Sequence, residues 1–281
     1  MPTTPPSKES LHEVLPDSFA SSVLQLYTGT QVTIRIKGEN WAKEYKVPKG
    51  LLCKQSPYFA AMFEGKFREG EEQSATLEEL EGVVSVRSFE TLLQYLFLGK
   101  IVHPGEAKRE EIGHVIEFMR FADMCGVTGV EEVMSTRLKD IIVKVCPYYN
   151  WDAQQSSETE NPTGVTVENI SAAANLPSGN LVRRVLAETA VRDFFQGNMV
   201  DFWKETCQAI PSFGLDLLEA TRDTMATVRH DRYNMRFVDP INRSATEFPK
   251  HQCPGASCGS WGCDCMERNN VSTGTWGAGP E

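Results

Sequence analysis

The stretch from Val32 to Phe97 constrains the fold of this chain most strongly, because two kinds of apolar periodicity occur within it. Val32, Ile34 and Ile36 alternate with polar residues, which predicts a β-strand with one solvated face. Further along, apolar residues recur every three or four positions, which predicts a helix. This second set comprises Phe89, Leu92, Leu93, Leu96 and Phe97. The combination favours an α+β domain whose apolar residues build a core.

Turn residues after the first strand predict a hairpin. Gly38-Glu39-Asn40 is a turn sequence. A return strand follows with Trp41, Tyr45 and Val47. Pro48 ends that strand, because proline has no N–H to donate to the ladder.

Capping residues mark the helices of the same block. Ser56-Pro57 predicts a helix start, since serine caps free N–H groups and proline suits the first helical position. This helix is expected to bury Phe59, Met62 and Phe63. Thr76 and Leu77 predict a third strand, Ser88 the start of the next helix and Gly99 its end.

Helical patterns continue beyond the block. If residues His114 to Cys125 form a helix, apolar side chains occupy nearly all of its faces. This predicts a central helix that is buried on most sides. Thr128 and Glu131 predict a capping box for the next helix. In a second region, helical spacing is carried by Leu181, Val182, Val185, Leu186, Phe194, Phe195, Leu215, Leu217, Leu218 and Met225.

Composition shifts divide the chain into five segments. Proline, serine and polar runs predict disorder or linkers, whereas periodic apolar runs predict packed helices. The expected segments are a disordered N-terminus (1–15), an α+β domain (16–145), a linker (146–164), a helical extension (165–238) and a disordered Cys/Gly-rich tail (239–281).

Charge and hydropathy exclude several classes of function. Acidic residues outnumber basic ones, 38 to 28, which argues against nucleic-acid binding. We expect no membrane association, because no apolar run is long enough to span a bilayer and the N-terminus lacks a signal-peptide pattern. We therefore expect an intracellular protein of the cytoplasm or nucleus with mostly reduced cysteines. Those expected to pack as small hydrophobes are Cys53, Cys125, Cys146 and Cys207.

Several runs, taken in order, resemble a BTB/POZ domain of the type common in filamentous fungi. They are Tyr45–Leu52, Ser56–Phe63, Phe67–Glu69, Phe89–Ile101 and Phe121–Asp123. The resemblance covers about residues 19 to 142. It implies a small β-sheet flanked by a helical bundle, and a non-enzymatic module that binds other proteins. The run Asn175–Arg184 is similar to the helical extension that follows many such domains.

The chain departs from this family at a groove that recruits transcriptional corepressors. The family usually has His where Pro48 stands and often Asp where Gln31 stands. Lys49 supplies a basic residue, but Gln31 is neutral. These departures weaken the prediction of corepressor binding.

The resemblance also implies a docking motif for cullin-3. Members that bind cullin-3 often carry an apolar residue, any residue and then Glu after the helix that ends in Met-Phe, and Phe67-Arg68-Glu69 matches this pattern. An exposed Phe could enter a groove of a partner while Glu fixes the register. The alternative is that Phe67 folds back on the core. The predicted partner-binding residues are Tyr58, Met62, Phe67, Arg68 and Glu69.

A helix before the first strand pairs many family members into homodimers. Here that surface would comprise Phe19, Val23, Leu26 and Tyr27. The same residues could instead close the core of the monomer, and the sequence leaves both alternatives open.

The tail carries the only residues that suggest a cofactor. Cys and His are zinc ligands, and the candidates are His251, Cys253, Cys258, Cys263 and Cys265. Their spacing contains no Cys-x2-Cys knuckle, so the expectation is no cofactor, with zinc as the alternative. Gly255–Gly259 matches a nucleophile elbow in letters but lacks the flanking strand and helix. We therefore expect no enzyme.

Three functional hypotheses follow from these patterns. The first is an adaptor that brings a client to a cullin-3-type ubiquitin ligase. The second is a self-associating scaffold in transcriptional regulation without a ligase role. The third is a zinc-binding protein that uses the Cys-rich tail.

Overall fold

The computed structural model describes residues 16–103, 108–146, 149, 163–230 and 234–248. Its helices are α1 (Pro16–Ser22), α2 (Leu24–Thr28), α3 (Lys49–Gln55), α4 (Pro57–Glu64), α5 (Arg68–Glu72), α6 (Val86–Leu98), α7 (Glu110–Met124), α8 (Val130–Val145), α9 (Val167–Ala173), α10 (Leu181–Gln196), α11 (Val200–Ala209) and α12 (Pro211–Met225). Its strands are β1 (Gln31–Lys37), β2 (Ala42–Pro48), β3 (Ser74–Glu78), β4 (Arg229–His230), β5 (Met235–Val238) and β6 (Ala245–Glu247). The predicted disorder of residues 1–15 and most of the predicted linker lie outside these ranges.

The first sheet confirms the predicted hairpin and the third strand. Its order is β2-β1-β3, with β1 antiparallel to β2 and parallel to β3. The alternating residues Val32, Ile34 and Ile36 of β1 are each 0% exposed, so one face of the strand forms the core. Pro48 is the last residue of β2 and pairs with Gln31.

Ser56 and Pro57 start helix α4 as predicted. The Ser56 hydroxyl accepts a hydrogen bond from the Phe59 N–H, and Pro57 occupies the first helical position. Phe59 and Phe63 are 0% and 1% exposed, whereas Met62 is only half-buried. The prediction that Met62 is buried is therefore only partly right, because Met62 lies at the edge of the buried face of this helix.

Two predicted helix starts are wrong. Helix α6 begins at Val86 with Ser85 as its cap, and Ser88 is the third helical residue, which closes a capping box with Ser85. Helix α8 is preceded by Gly129 with a φ of 83° and has no side-chain cap. The Glu131 carboxylate instead accepts a 3.4 Å hydrogen bond from the backbone N–H of Leu181.

Helix α7 is the central helix that the sequence predicts. It packs against α6, α8 and α9. Ile112, Ile116 and Phe121 are among its buried residues, at 0%, 1% and 0% exposure. Of the four cysteines expected to pack as hydrophobes, Cys53, Cys125 and Cys146 are buried and Cys207 is half-buried.

The helical extension packs directly on the first domain. Helix α10 contacts α8 on one side and α12 on another, and Val182, Val185 and Leu186 are buried in this contact region. Some residues with helical spacing lie outside the core, because the spacing identifies a helix without showing how much of its circumference is covered. They are Phe194 (56% exposed), Leu215 (66%), Leu218 (66%) and Met225 (50%).

Ordered structure continues past residue 239, where the sequence predicts the start of a disordered tail. Strands β4, β5 and β6 form a second antiparallel sheet. Asp239 is 0% exposed, accepts a hydrogen bond from the Tyr149 hydroxyl and lies 3.7 Å from Arg192. Phe237 packs on Phe195 with ring centroids 4.9 Å apart. These contacts hold the segment up to Phe248, while the rest of the predicted tail lies outside the described residues.

No helix within the described ranges is long and apolar enough to cross a membrane.

Candidate protein-interaction surface

Phe67 lies on the surface, between the end of α4 and the start of α5. Its side chain is 60% exposed, so it does not fold back on the core. A Cβ added to Gly65 would lie 3.1 Å from the Phe67 ring, so the ring rests over the backbone of that glycine. This position leaves most of the ring available to a partner.

Gly70 allows α5 to lie directly against the end of α4. A Cβ at this position would lie 2.9 Å from the Gly65 carbonyl oxygen and 3.2 Å from that of Phe63. These are backbone atoms that cannot move aside easily. The close approach brings Phe67, Arg68 and Glu69 beside the helix that carries Tyr58 and Met62.

The predicted docking residues therefore lie on α4, on α5 and at Phe67 just before α5, and they differ in exposure. Phe67 and Arg68 are exposed, whereas Tyr58, Met62 and Glu69 are half-buried. The Arg68 guanidinium forms a 2.6 Å ion pair with Glu72 one turn later. Burial raises the pKa of the Tyr58 hydroxyl, with smaller contributions from Cys125 and the Glu69 carboxylate. The Tyr58 phenol is thus neutral and able to donate a hydrogen bond.

The predicted dimer surface is divided between the core and the exterior. Phe19 is 45% exposed, whereas Val23 is 2% exposed and belongs to the core of the chain. The Tyr27 ring contacts Phe97 edge-on with centroids 5.7 Å apart, and Leu26 lies against Gly50. Leu24, which was not predicted to belong to this surface, is 50% exposed. The available apolar surface of these helices thus consists of Phe19 and Leu24.

Lys49 is occupied by a structural contact. Its ammonium group donates a 2.8 Å hydrogen bond to the carbonyl oxygen of Phe63, the penultimate residue of α4. A cation at this end of a helix is stabilised by the helix dipole. The basic residue that a corepressor groove would use therefore stabilises the end of α4.

A second surface feature was not predicted from the sequence. A cleft of about 750 Å³ opens where β1 and β3 end, and it is bordered by the segments 37–41 and 78–82. In the sequence, the acidic run Glu78-Glu79-Leu80-Glu81 marks one border of this cleft. Such a charged run is usually ordinary solvated surface, so the sequence did not distinguish it.

The candidate zinc ligands His251, Cys253, Cys258, Cys263 and Cys265 lie outside the described residues. Among the residues with described positions, no three His, Cys, Asp or Glu side chains are grouped so that they could hold a metal ion.

Comparison with known families identifies the BTB/POZ domain family. The model of the BTB/POZ domain family matches residues 23–141, which span α2 to α8 together with the first sheet. A comparison with curated proteins produced no match.

Proposed function

Residues 23–141 are a BTB/POZ domain and therefore a protein–protein interaction module, and on this basis we propose that the chain is an adaptor for a cullin-3-type ubiquitin ligase. In this proposal α4, α5 and Phe67 contact the cullin. The helical extension, α9 to α12, holds or presents a client protein.

The exposure of Phe67 carries this proposal. A large apolar side chain that is 60% exposed loses the hydrophobic contribution to stability that a buried one would make. Burial of such a side chain in a partner contributes about 1.5–3 kcal/mol. Aromatic residues of this kind are frequent hot spots of interfaces.

In this proposal, acidic side chains beside Phe67 orient the bound partner. Glu69 and Glu71 lie in the first turn of α5, next to the exposed ring. Charges at the rim of an interface contribute chiefly to association rate and register. The proposed partner face is therefore apolar at its centre and basic at its edge.

The experiment that tests this proposal is a binding measurement with the N-terminal domain of cullin-3. Immobilised cullin-3 is titrated with the full chain and with its Phe67→Ala and Glu69→Ala variants. We expect Phe67→Ala to weaken binding about five- to twentyfold, since burying the exposed 60% of the side chain contributes about 1–2 kcal/mol.

The matched control is Phe194→Ala on α10, which removes an equally large ring that is 56% exposed. It is expected to bind cullin-3 like the unaltered protein. The proposal fails if the unaltered chain does not bind, or if the two Phe variants weaken binding equally.

The exposed N-terminal helices favour a second candidate function, namely self-association as a scaffold. Phe19 and Leu24 are 45% and 50% exposed on α1 and α2, beside the buried Val23. Their burial against a second copy would form a twofold interface. Light scattering should then give the mass of a dimer that Phe19→Glu with Leu24→Glu converts to a monomer. A monomeric unaltered chain would contradict this candidate.

A further inference from the structure

The cleft at the end of the first sheet, here called the acidic cleft, combines negative charge with exposed apolar side chains. It is bordered by residues 37–41, residues 78–82, Val84, Ser85 and Glu117. Trp41 and Leu80 are 41% and 54% exposed within this border. An opening of about 750 Å³ is large enough for several amino-acid side chains rather than for one ion.

An indole ring and a carboxylate meet at the entrance of the acidic cleft. A Cβ added to Gly38 would lie 2.5 Å from the Trp41 indole and 2.8 Å from a Glu79 carboxylate oxygen. A side chain at this position would displace the indole and the carboxylate, so glycine lets both groups approach the turn. A cation beside them would be attracted both by the indole ring, through a cation–π interaction, and by the negative carboxylate.

The charges of the acidic cleft are unbalanced. Five glutamates border it against one lysine, Lys37. Lys37 forms a 3.2 Å ion pair with Glu78, and Glu117 accepts a hydrogen bond from Ser85. Glu39, Glu79 and Glu81 are exposed. The surplus of negative charge is complementary to a basic ligand.

Backbone hydrogen bonds hold the wall that carries Leu80 in one shape. The Leu80 N–H donates to the Val84 carbonyl at 3.0 Å, and the Val84 N–H donates to the Leu80 carbonyl at 2.8 Å. The Arg120 guanidinium donates to the Gly82 carbonyl at 2.9 Å. Val83 and Val84, in the same segment as Leu80, are buried. A preformed wall lowers the entropy that a ligand must lose on binding.

From these observations we propose that the acidic cleft binds a basic peptide segment of a partner protein. A lysine or arginine of this segment lies over Trp41 beside Glu79, and a neighbouring apolar side chain contacts Leu80. The exposed glutamates select against acidic segments.

The acidic cleft and Phe67 lie on either side of strand β3 in the chain. Strand β3 pairs Ser74 with Thr33 at one end and Glu78 with Lys37 at the other. Phe67 precedes the first end in the chain, and the acidic cleft begins at the second. The intervening strand spans about 13 Å at about 3.3 Å per residue. Phe67 does not border the acidic cleft, so its replacement should not change peptide binding directly.

The test uses the full chain and a fluorescein-labelled hexapeptide that alternates lysine and leucine, with arginine and glutamate counterparts. Fluorescence anisotropy should show saturable binding of the lysine and arginine peptides that weakens as salt is raised, because exposed charge pairs are screened. The glutamate peptide should not bind. Trp41→Ala and the double variant Glu79→Gln with Glu81→Gln should each weaken binding about two- to fivefold.

Two controls separate this proposal from general charge effects and from the proposed ligase role. Glu132→Gln with Glu219→Gln removes the same charge from exposed positions on α8 and α12 and should leave affinity unchanged. Phe67→Ala should also leave it unchanged. No saturable binding of either basic peptide, or equal weakening by the cleft and control pairs, would overturn the proposal. Should Trp41→Ala not fold, the Glu79 and Glu81 pair decides.

Discussion

The Ser56 hydroxyl donates a 2.6 Å hydrogen bond to the carbonyl oxygen of Cys125, which lies 69 residues later in the chain. The same hydroxyl accepts a hydrogen bond from the Phe59 N–H. One buried side chain therefore caps α4 and ties it to the end of the central helix α7. The helix that carries Tyr58 and Met62 is thereby held against the core.

Ser56→Ala removes both hydrogen bonds at a fully buried position. We expect the free energy of unfolding to fall by about 1–3 kcal/mol, since a helix cap and a buried hydrogen bond are lost together. Urea denaturation measures this change. Ser135→Ala, whose hydroxyl bonds an exposed carbonyl within α8, should change stability by less than about 0.5 kcal/mol. Equal effects of both variants would contradict the assigned role of Ser56.

Gly70→Ala should displace α5 from the end of α4. The new methyl group would lie within 2.9 Å of a backbone oxygen, so the two helices must separate. We expect weaker cullin-3 binding together with faster hydrogen exchange in residues 65–73. Gly113→Ala on α7 is the matched control, because its Cβ would lie 3.8 Å from the nearest atom. Alanine there should be neutral or stabilise the helix by up to about 1 kcal/mol.

Arg137 and Glu111 form a buried ion pair between α8 and α7, with side chains only 10% and 9% exposed. Arg137→Met leaves the Glu111 carboxylate buried without its partner, which should cost about 3–5 kcal/mol. The double variant Arg137→Met with Glu111→Leu should recover most of that loss. Denaturation of the four proteins in a double-mutant cycle tests this. Arg35→Met, which breaks an exposed pair with Glu44, should cost less than about 1 kcal/mol.

His103 and His114 make the fold sensitive to acid. Burial lowers the pKa of both imidazoles below 6.5, and the Arg137 charge near His103 and the Arg87 charge near His114 lower it further. The unfolded chain therefore binds more protons than the folded chain as pH falls below about 6.5. This contribution to stability is fully present above that pH and is lost as pH falls toward the folded-state pKa values.

Denaturation at pH 7.5 and at pH 5.5 checks this sign. Replacing both histidines by asparagine should reduce the loss of stability between the two pH values. Thr91 lines the same small cavity as His103 and His114, so Thr91→Ala alters this cavity without removing an imidazole and should leave the pH dependence as it is. If the double asparagine variant loses as much stability on acidification as the unaltered chain, these histidines are not responsible.

Capping residues and apolar periodicity, which act over a few residues, predicted the main helices and strands correctly. Ser56 and Pro57 start α4 as expected, and the alternation through Val32, Ile34 and Ile36 describes a strand with one buried face. The prediction from Thr128 and Glu131 was wrong because Glu131 instead bonds the start of α10, 50 residues away. Ser85, three residues before Ser88, is the N-cap of α6. The sequence pattern alone cannot decide which of these two serines caps the helix.

The candidate interaction surface was likewise predicted from the sequence only in part. The motif Phe67-Arg68-Glu69 was identified from its order of residue types, and the family match covers it. Only the structure shows that Phe67 is 60% exposed and that Gly70 lies against the end of α4. Val23 and Phe19 share a helical pattern, yet only Val23 is buried, because the domain covers just one side of these helices.

The sequence by itself determined the α+β class, the main helices and strands of the first domain and the position of the Phe67-Arg68-Glu69 motif. These features depend on periodicity and capping, which act over a few residues. Tertiary structure alone decided which apolar side chains remain exposed, how residues 239–248 are held and where the acidic cleft opens. Each of these results depends on contacts between segments distant in the chain, such as Lys37 with Glu78 and Tyr149 with Asp239.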